Sequence, residues 1–137
     1  MYPAELVLPM KAELTEKGFQ DLSTPELVDN ALKTAGTTLL VLNSVCGCSA
    51  GTARPGVLAA VAHAAKKPTQ CVTAFAGFDI DAVKQARNYL LPYPPSSPCI
   101  ALLKDGQLVH MVERHMIEGR SAEMIAANLT HAFEQHC

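Results

Sequence analysis

The chain has no tryptophan, few aromatic residues (5%) and little charge (18% Asp, Glu, Lys and Arg). Eleven basic side chains stand against 13 acidic ones, a formal charge of −2, which leaves no electrostatic footprint for nucleic acid or an anionic membrane. Strongly apolar stretches reach only about eight residues, well under the roughly 20 that span a bilayer. The opening Met1-Tyr2-Pro3-Ala4-Glu5 lacks the basic and apolar regions of a secretory signal. No repeat, low-complexity tract or charged block divides the 137 residues, so a single domain, 1–137, is expected. A chain of this size buries roughly 68–70% of its unfolded surface and needs no covalent bracing.

What the chain does have is cysteine, at 46, 48, 71, 99 and 137. An odd, uneven set in a chain able to build its own core is not a secreted disulfide framework, and a cytoplasmic location is expected. In that compartment a close pair such as Cys46-Gly47-Cys48 points to redox chemistry or metal binding. Zinc would need about four ligands, and no second close cysteine pair accompanies this one, although His131 and His136 lie five apart; no metal site is expected. Cys71 and Cys99 lie within or beside apolar runs and read as core packing. Cys137 is the terminal residue, where reactivity would be incidental.

After a loosely patterned leader to about residue 20, the pattern alternates. Ser23 with Glu26 resembles a capping box, Pro25 suits a first helical turn, and Leu27, Val28, Ala31, Leu32 and Ala35 recur at helical spacing before Gly36. Thr37 to Val45 is nearly all apolar and too short for a lone helix, as in a strand covered on both faces. The cysteine pair follows at once. A helix then starts at Ser49 or Thr52, with Pro55 near its N-terminus, and ends at Lys66-Lys67-Pro68. Gln70 to Ala76 reads as a second strand, and Asp79 as the cap of a helix that buries Ile80, Val83, Ala86 and Leu90. Four prolines make residues 92–98 a rigid connector. Asp105-Gly106, between Cys99–Lys104 and Gln107–Glu113, predicts a hairpin with a type I′ turn. Ser121 begins a last helix with Met124, Ile125, Leu129, Ala132 and Phe133 inward. With a right-handed crossover these elements form an α/β fold, a thioredoxin-like three-layer α/β/α domain around a mixed four-stranded sheet. Ligands collect beyond the carboxyl ends of strands in such sheets, which is where the thiols fall.

A free cysteine is only a few per cent thiolate near neutral pH, so its surroundings decide its use. The unsatisfied N–H groups of the following helix offer partial positive charge, and Arg54 adds a full one if the loop folds it back. Lowering the pKa by about 1.5 raises the ionised fraction roughly tenfold and costs about fivefold in nucleophilicity, so the larger gain is as a leaving group, which favours exchange. Neighbours at i and i+2 in an extended chain lie near or beyond the reach of a disulfide, and Gly47 permits the bend that closure needs. A strained, relatively oxidising bridge is expected, suited to isomerisation or to resolving mixed disulfides. Ser97-Pro98, ahead of a strand, reads equally as a cis bond exposing a substrate-binding backbone edge or as a stiff turn.

The segment Asn43-Ser44-Val45-Cys46-Gly47-Cys48-Ser49-Ala50-Gly51-Thr52-Ala53-Arg54-Pro55, with Tyr93-Pro94-Pro95-Ser96-Ser97-Pro98 and Lys104-Asp105-Gly106, resembles the bacilliredoxin family over almost the whole chain. The resemblance implies a thioredoxin-like fold and thiol–disulfide exchange: removal of bacillithiol, or a similar small thiol, from S-thiolated client proteins, with weak disulfide isomerase activity in some members. It implies Cys46 as nucleophile, Cys48 as resolving thiol and Pro98 as the cis-proline before the third strand. No cofactor is implied beyond the small thiol as co-substrate. Cys99 stands where serine is expected, and Cys71 and Cys137 are extra. The contrasting expectation is a non-catalytic C-x-C metal-binding or adaptor module on the same scaffold.

Overall fold

β2 (Thr37–Asn43) is buried along its whole length, because it has a strand on either side and helices on both faces. In the computed structural model, which describes Met1–Cys137, β2 pairs in parallel with β3 (Gln70–Phe75) and antiparallel with β4 (Cys99–Lys104). β5 (Gln107–Val112) completes one edge antiparallel to β4, and β1 (Gln20–Asp21) the other, parallel to β3. The order is β1-β3-β2-β4-β5.

Side chains alternate across this sheet with a period of two. Leu39, Val41, Ile100 and Leu102 enter a core shared with α1 (Ala4–Thr15), α3 (Arg54–His63) and α6 (Ala122–His136). Leu40, Leu42, Val72 and Ala74 enter one shared with α2 (Pro25–Leu32) and α4 (Ile80–Asn88). This is the thioredoxin-like α/β/α arrangement, with five strands where the apolar runs predict four. The fifth, β1, is two residues long and too short to show a period. No helix is long and apolar enough to cross a membrane.

The leader is not loose: it is α1. Its buried stripe is Val7, Lys11 and Leu14, and Pro9 lies inside it, so one lysine and one proline disguise a helical spacing. Buried Lys11 donates to Asp21 at 3.0 Å and pairs with Asp79 at 2.7 Å, tying α1 to the sheet and to the start of α4. Thr24, not Ser23, caps α2 by accepting from Leu27 N. Asp79 precedes α4 without a side-chain cap, because its carboxylate is taken by Phe75 N and Lys11. Ile80 and Met124 are exposed. Asp105 and Gly106 both have positive φ, 51° and 82°, as a type I′ turn requires.

The strand directions place the C-terminal ends of β2, β3 and β5 and the N-terminal end of β4 along one sheet edge. Behind that edge α3 and α6 approach closely at Gly56. A methyl group there would lie 2.8 Å from Ile125 Cβ and 2.9 Å from the Ala122 carbonyl oxygen. Gly56→Ala is expected to destabilise the fold by about 1–3 kcal/mol, outweighing the roughly 0.5–1 kcal/mol gained in helix propensity. At Gly47 the same methyl meets nothing within 4 Å, and Gly47→Ala is expected to leave the melting temperature essentially where it is. Thermal denaturation of the two variants checks this; equal melting points would show that α3 and α6 can separate freely.

Candidate active site

Beyond β2 the chain turns directly into helix. Gly47 and Cys48 are already helical, and a π-helical turn, Ser49–Ala53, runs on into α3. The Cys46 carbonyl accepts from Ser49 N at 3.0 Å and Ala50 N at 3.3 Å, so Cys46 opens the first turn. The bend between the cysteines is therefore helical and not a kink in an extended chain. Gly47 does not have a positive φ, and glycine's special freedom is not what the bend uses.

Cys46 and Cys48 are half-buried free cysteines, with their Sγ atoms 2.8 Å apart. Cys46 is held below the ordinary thiol pKa, first by the Cys48 side chain donating to it, then by the Cys48 backbone N–H, with the Arg114 charge and the Ser49 N–H assisting against burial. Cys48 is pushed up to about 11, first by burial, then by its hydrogen bond to Cys46 and by that neighbour's negative charge. The two thiols are thus unlike, Cys46 the more acidic and Cys48 the less. Helix-start amides act on Cys46 as expected.

Arg54 does not. Its side chain is 1% exposed. Nη1 donates to Asn43 Oδ1 (2.8 Å), the Ser44 carbonyl (3.0 Å) and Ser49 Oγ (3.1 Å), and Nε to Glu13 Oε1 (3.0 Å). The guanidinium is turned under the loop, where a buried cation finds four oxygens, and makes no hydrogen bond to either sulfur. Arg54 is thus corrected from thiolate stabiliser to scaffold. It fixes Asn43 and Ser44, and Ser44 Oγ in turn accepts the Cys46 N–H at 3.0 Å.

The arginine at the thiol is Arg114, which sequence reading misses. It opens α5 (Arg114–Ile117), a single turn after β5. Nη2 donates to Cys46 Sγ at 3.2 Å, Nη1 to the Ser97 carbonyl at 3.1 Å, and Nε pairs with Glu118. A signal for it existed. In an antiparallel hairpin beside β2 the last strand runs parallel to β2, so the residues leaving it emerge on the same edge as Cys46.

Ser97-Pro98 reaches that edge as well, and its bond is cis. Ser97 lines an open cleft of about 390 Å³ with Ser44, Cys46, Gly77, Arg114 and Tyr2. Pro98 is buried beneath it. Cys99 is buried, and its thiol is pushed up to about 11 by that burial. Half-buried Cys71 is likewise pushed up to about 11 by burial, and Cys137 is exposed. No group of three or more His, Cys, Asp or Glu side chains converges to hold a metal ion.

A family model described as disulphide isomerase matches residues 2–137, and a bacilliredoxin of Cytophaga hutchinsonii is 58% identical over 135 residues, covering 98% of this chain and 99% of that protein. The chain belongs to the bacilliredoxin family. A Bacillus cereus bacilliredoxin is 49% identical over 137 residues, covering 99% of this chain and 95% of its own. Among solved structures, oxidised mitochondrial thioredoxin 3 of Saccharomyces cerevisiae aligns with a TM-score of 0.60 at 14% identity, covering 90% of this chain and 98% of that one. Thioredoxin O2 of Arabidopsis thaliana aligns at 0.57 and 17%, covering 88% and 95%. At those identities the likeness is one of fold. Family and fold together make this bacilliredoxin a thiol–disulfide oxidoreductase.

In this bacilliredoxin the Arg114 cation favours the charged form of Cys46, so its removal must move thiol ionisation upward in pH. Arg114→Gln is expected to shift the midpoint of iodoacetamide labelling at Cys46 to higher pH and to slow labelling at pH 7 by about two- to fivefold. The side chain is 44% exposed, so solvent screening keeps the effect modest. An unmoved midpoint would mean that the helix amides and Cys48 suffice.

Proposed function

We propose that the chain removes bacillithiol, or a similar low-molecular-weight thiol, from S-thiolated client proteins in the cytoplasm, with no further cofactor. The asymmetry of the two thiols supports this reading: Cys46, the more acidic, lies beside Arg114, and the less acidic Cys48 is 2.8 Å from it.

The Cys46 thiolate attacks the small-thiol sulfur of the mixed disulfide. The client sulfur leaves with the bond's electron pair and takes a proton, and Cys46 now carries the small thiol. This step also frees Cys48. Two of the causes that raise its pKa, the hydrogen bond to Cys46 and the Cys46 charge, vanish when Cys46 is capped. Cys48 then loses its proton and attacks Cys46 Sγ, the small thiol leaves, and a Cys46–Cys48 disulfide remains. Two further small thiols reduce it, becoming oxidised to their own disulfide. A second small thiol attacking the capped Cys46 gives the monothiol alternative. Weak disulfide isomerase activity follows from the same exchange when the attacked bond lies within a protein.

Mass spectrometry of Cys48→Ser incubated with bacillithiolated and glutathionylated proteins is the test. An adduct is expected to accumulate on Cys46, and its mass names the small thiol. No adduct, together with co-purifying metal that is lost in Cys46→Ser, would favour a metal carrier instead.

A further inference from the structure

The cleft holding Cys46 does not end at Ser97. A second opening, also about 390 Å³, shares Ala76, Gly77 and Ser97 with it and continues to Lys84 and Arg87 on α4. The openings adjoin at these three small residues, with the Tyr2 ring packed against Gly77 on the Cys46 side, and make one composite groove of small-molecule size. The charged side chains lining it are Arg114 at the sulfur and Lys84 and Arg87 at the far end. No carboxylate lines either part, in a chain whose formal charge is −2.

The cations differ in how they are engaged. Half-buried Arg87 donates Nη1 to the Ser96 carbonyl at 3.0 Å and also acts on the buried Cys99 thiol, which anchors its guanidinium between the connector and the start of β4. Lys84 is exposed, and its side chain makes no hydrogen bond or ion pair with the rest of the chain. Arg114 gives Nε to Glu118 and Nη2 to Cys46. When Cys46 is capped by a disulfide, that Nη2 donor loses its anionic partner.

We infer that this groove is the binding site of the small thiol, and that Lys84 and Arg87 form an anion subsite selecting low-molecular-weight thiols with carboxylates remote from their sulfur. The inference rests on the dethiolation reading, in which the small thiol becomes attached to Cys46 and must occupy the space next to it. A client protein leaves in that step and needs no cationic groove of this size.

The test uses Cys48→Ser in the full chain, with and without Lys84→Glu, Lys84→Gln or, as a control of equal net charge, Lys33→Glu. Lys33 is exposed and sits beside the Asp105-Gly106 turn at the opposite end of the sheet. The rate of adduct formation on Cys46 is measured with a model peptide disulfide-bonded to bacillithiol, to glutathione or to uncharged 2-mercaptoethanol. The ratio of anionic-donor to neutral-donor rates is expected to fall about three- to tenfold in Lys84→Glu, less in Lys84→Gln, and to stay put in Lys33→Glu. Added salt should shrink the ratio in the parent and hardly touch it in Lys84→Glu. A ratio unchanged by Lys84→Glu, or lowered equally by Lys33→Glu, overturns the subsite while leaving dethiolation intact. No Cys46 adduct from either anionic donor in the parent overturns the dethiolation reading and the subsite with it.

Discussion

Cys46→Ala is expected to lower small-thiol release from an S-thiolated client by at least about a hundredfold at pH 7, with the fold intact. A thiol of ordinary pKa is a few per cent thiolate at that pH, and one at about 11 is roughly one ten-thousandth ionised. Cys48 therefore cannot replace Cys46 in the parent enzyme. In the variant, the hydrogen bond and the charge of Cys46 that raise Cys48 are gone and burial and the Glu118 charge remain against it, so Cys48 recovers part of its acidity. The residual rate should accordingly climb between pH 7 and pH 9 more steeply than the parent's, whose attacking thiol titrates at lower pH. The sign follows from Cys46: a pKa held below the ordinary thiol value moves the parent's loss of activity to lower pH. Release of the small thiol, followed by mass spectrometry across this pH range, measures both features. Undiminished release at pH 7 from the alanine variant would end the case for Cys46 as the attacking group.

Arg54→Ala should act on stability instead. The side chain is 1% exposed and is the largest of the fully buried ones. Its loss leaves a cavity and deprives the Ser44 carbonyl of a donor, while Asn43 Oδ1 keeps the Ser44 N–H and the Ser49 hydroxyl. Glu13 is 48% exposed and regains water. Losing this buried side chain and leaving the Ser44 carbonyl short of a donor is expected to cost about 2–4 kcal/mol, which for a chain of this length lowers the melting temperature by roughly 6–16 °C. Arg54→Lys keeps the charge but not the planar fork, and recovers only part of this. Well below its melting point, Arg54→Lys should label Cys46 with nearly the parent's pH profile, in contrast to Arg114→Gln. A melting temperature lowered by only a few degrees in Arg54→Ala would show that the network is dispensable.

The two arginines mark how far the sequence can be read. Arg54 stands eight positions after Cys46, at the start of the helix the thiols precede, and proximity along the chain favours it. Its fate was decided by Asn43, Ser44, Ser49 and Glu13, which surround it with oxygens once β2 and α1 are in place. The strands β2 to β5 were legible because each is a short apolar-rich run with glycine, proline or a strong turn pair at or near one end. Helix α1 was not, because a lysine that pairs with two aspartates stands in its buried stripe. Thr24 displaced Ser23 as a cap by one position, an ambiguity that two adjacent hydroxyl residues leave open in any local reading.

Apolar period, turn chemistry and the place of Cys46-Gly47-Cys48 after a buried strand are properties of neighbouring residues, and the amino-acid order alone determined them. Which cation meets the thiolate, and which basic residues line the groove beside it, depended on strand direction and on competition among buried oxygens for donors. Arg114 reaches Cys46 across 68 positions because β5 runs parallel to β2. A guanidinium bonds to whatever acceptors folding leaves within its reach, and only the assembled sheet fixes which those are.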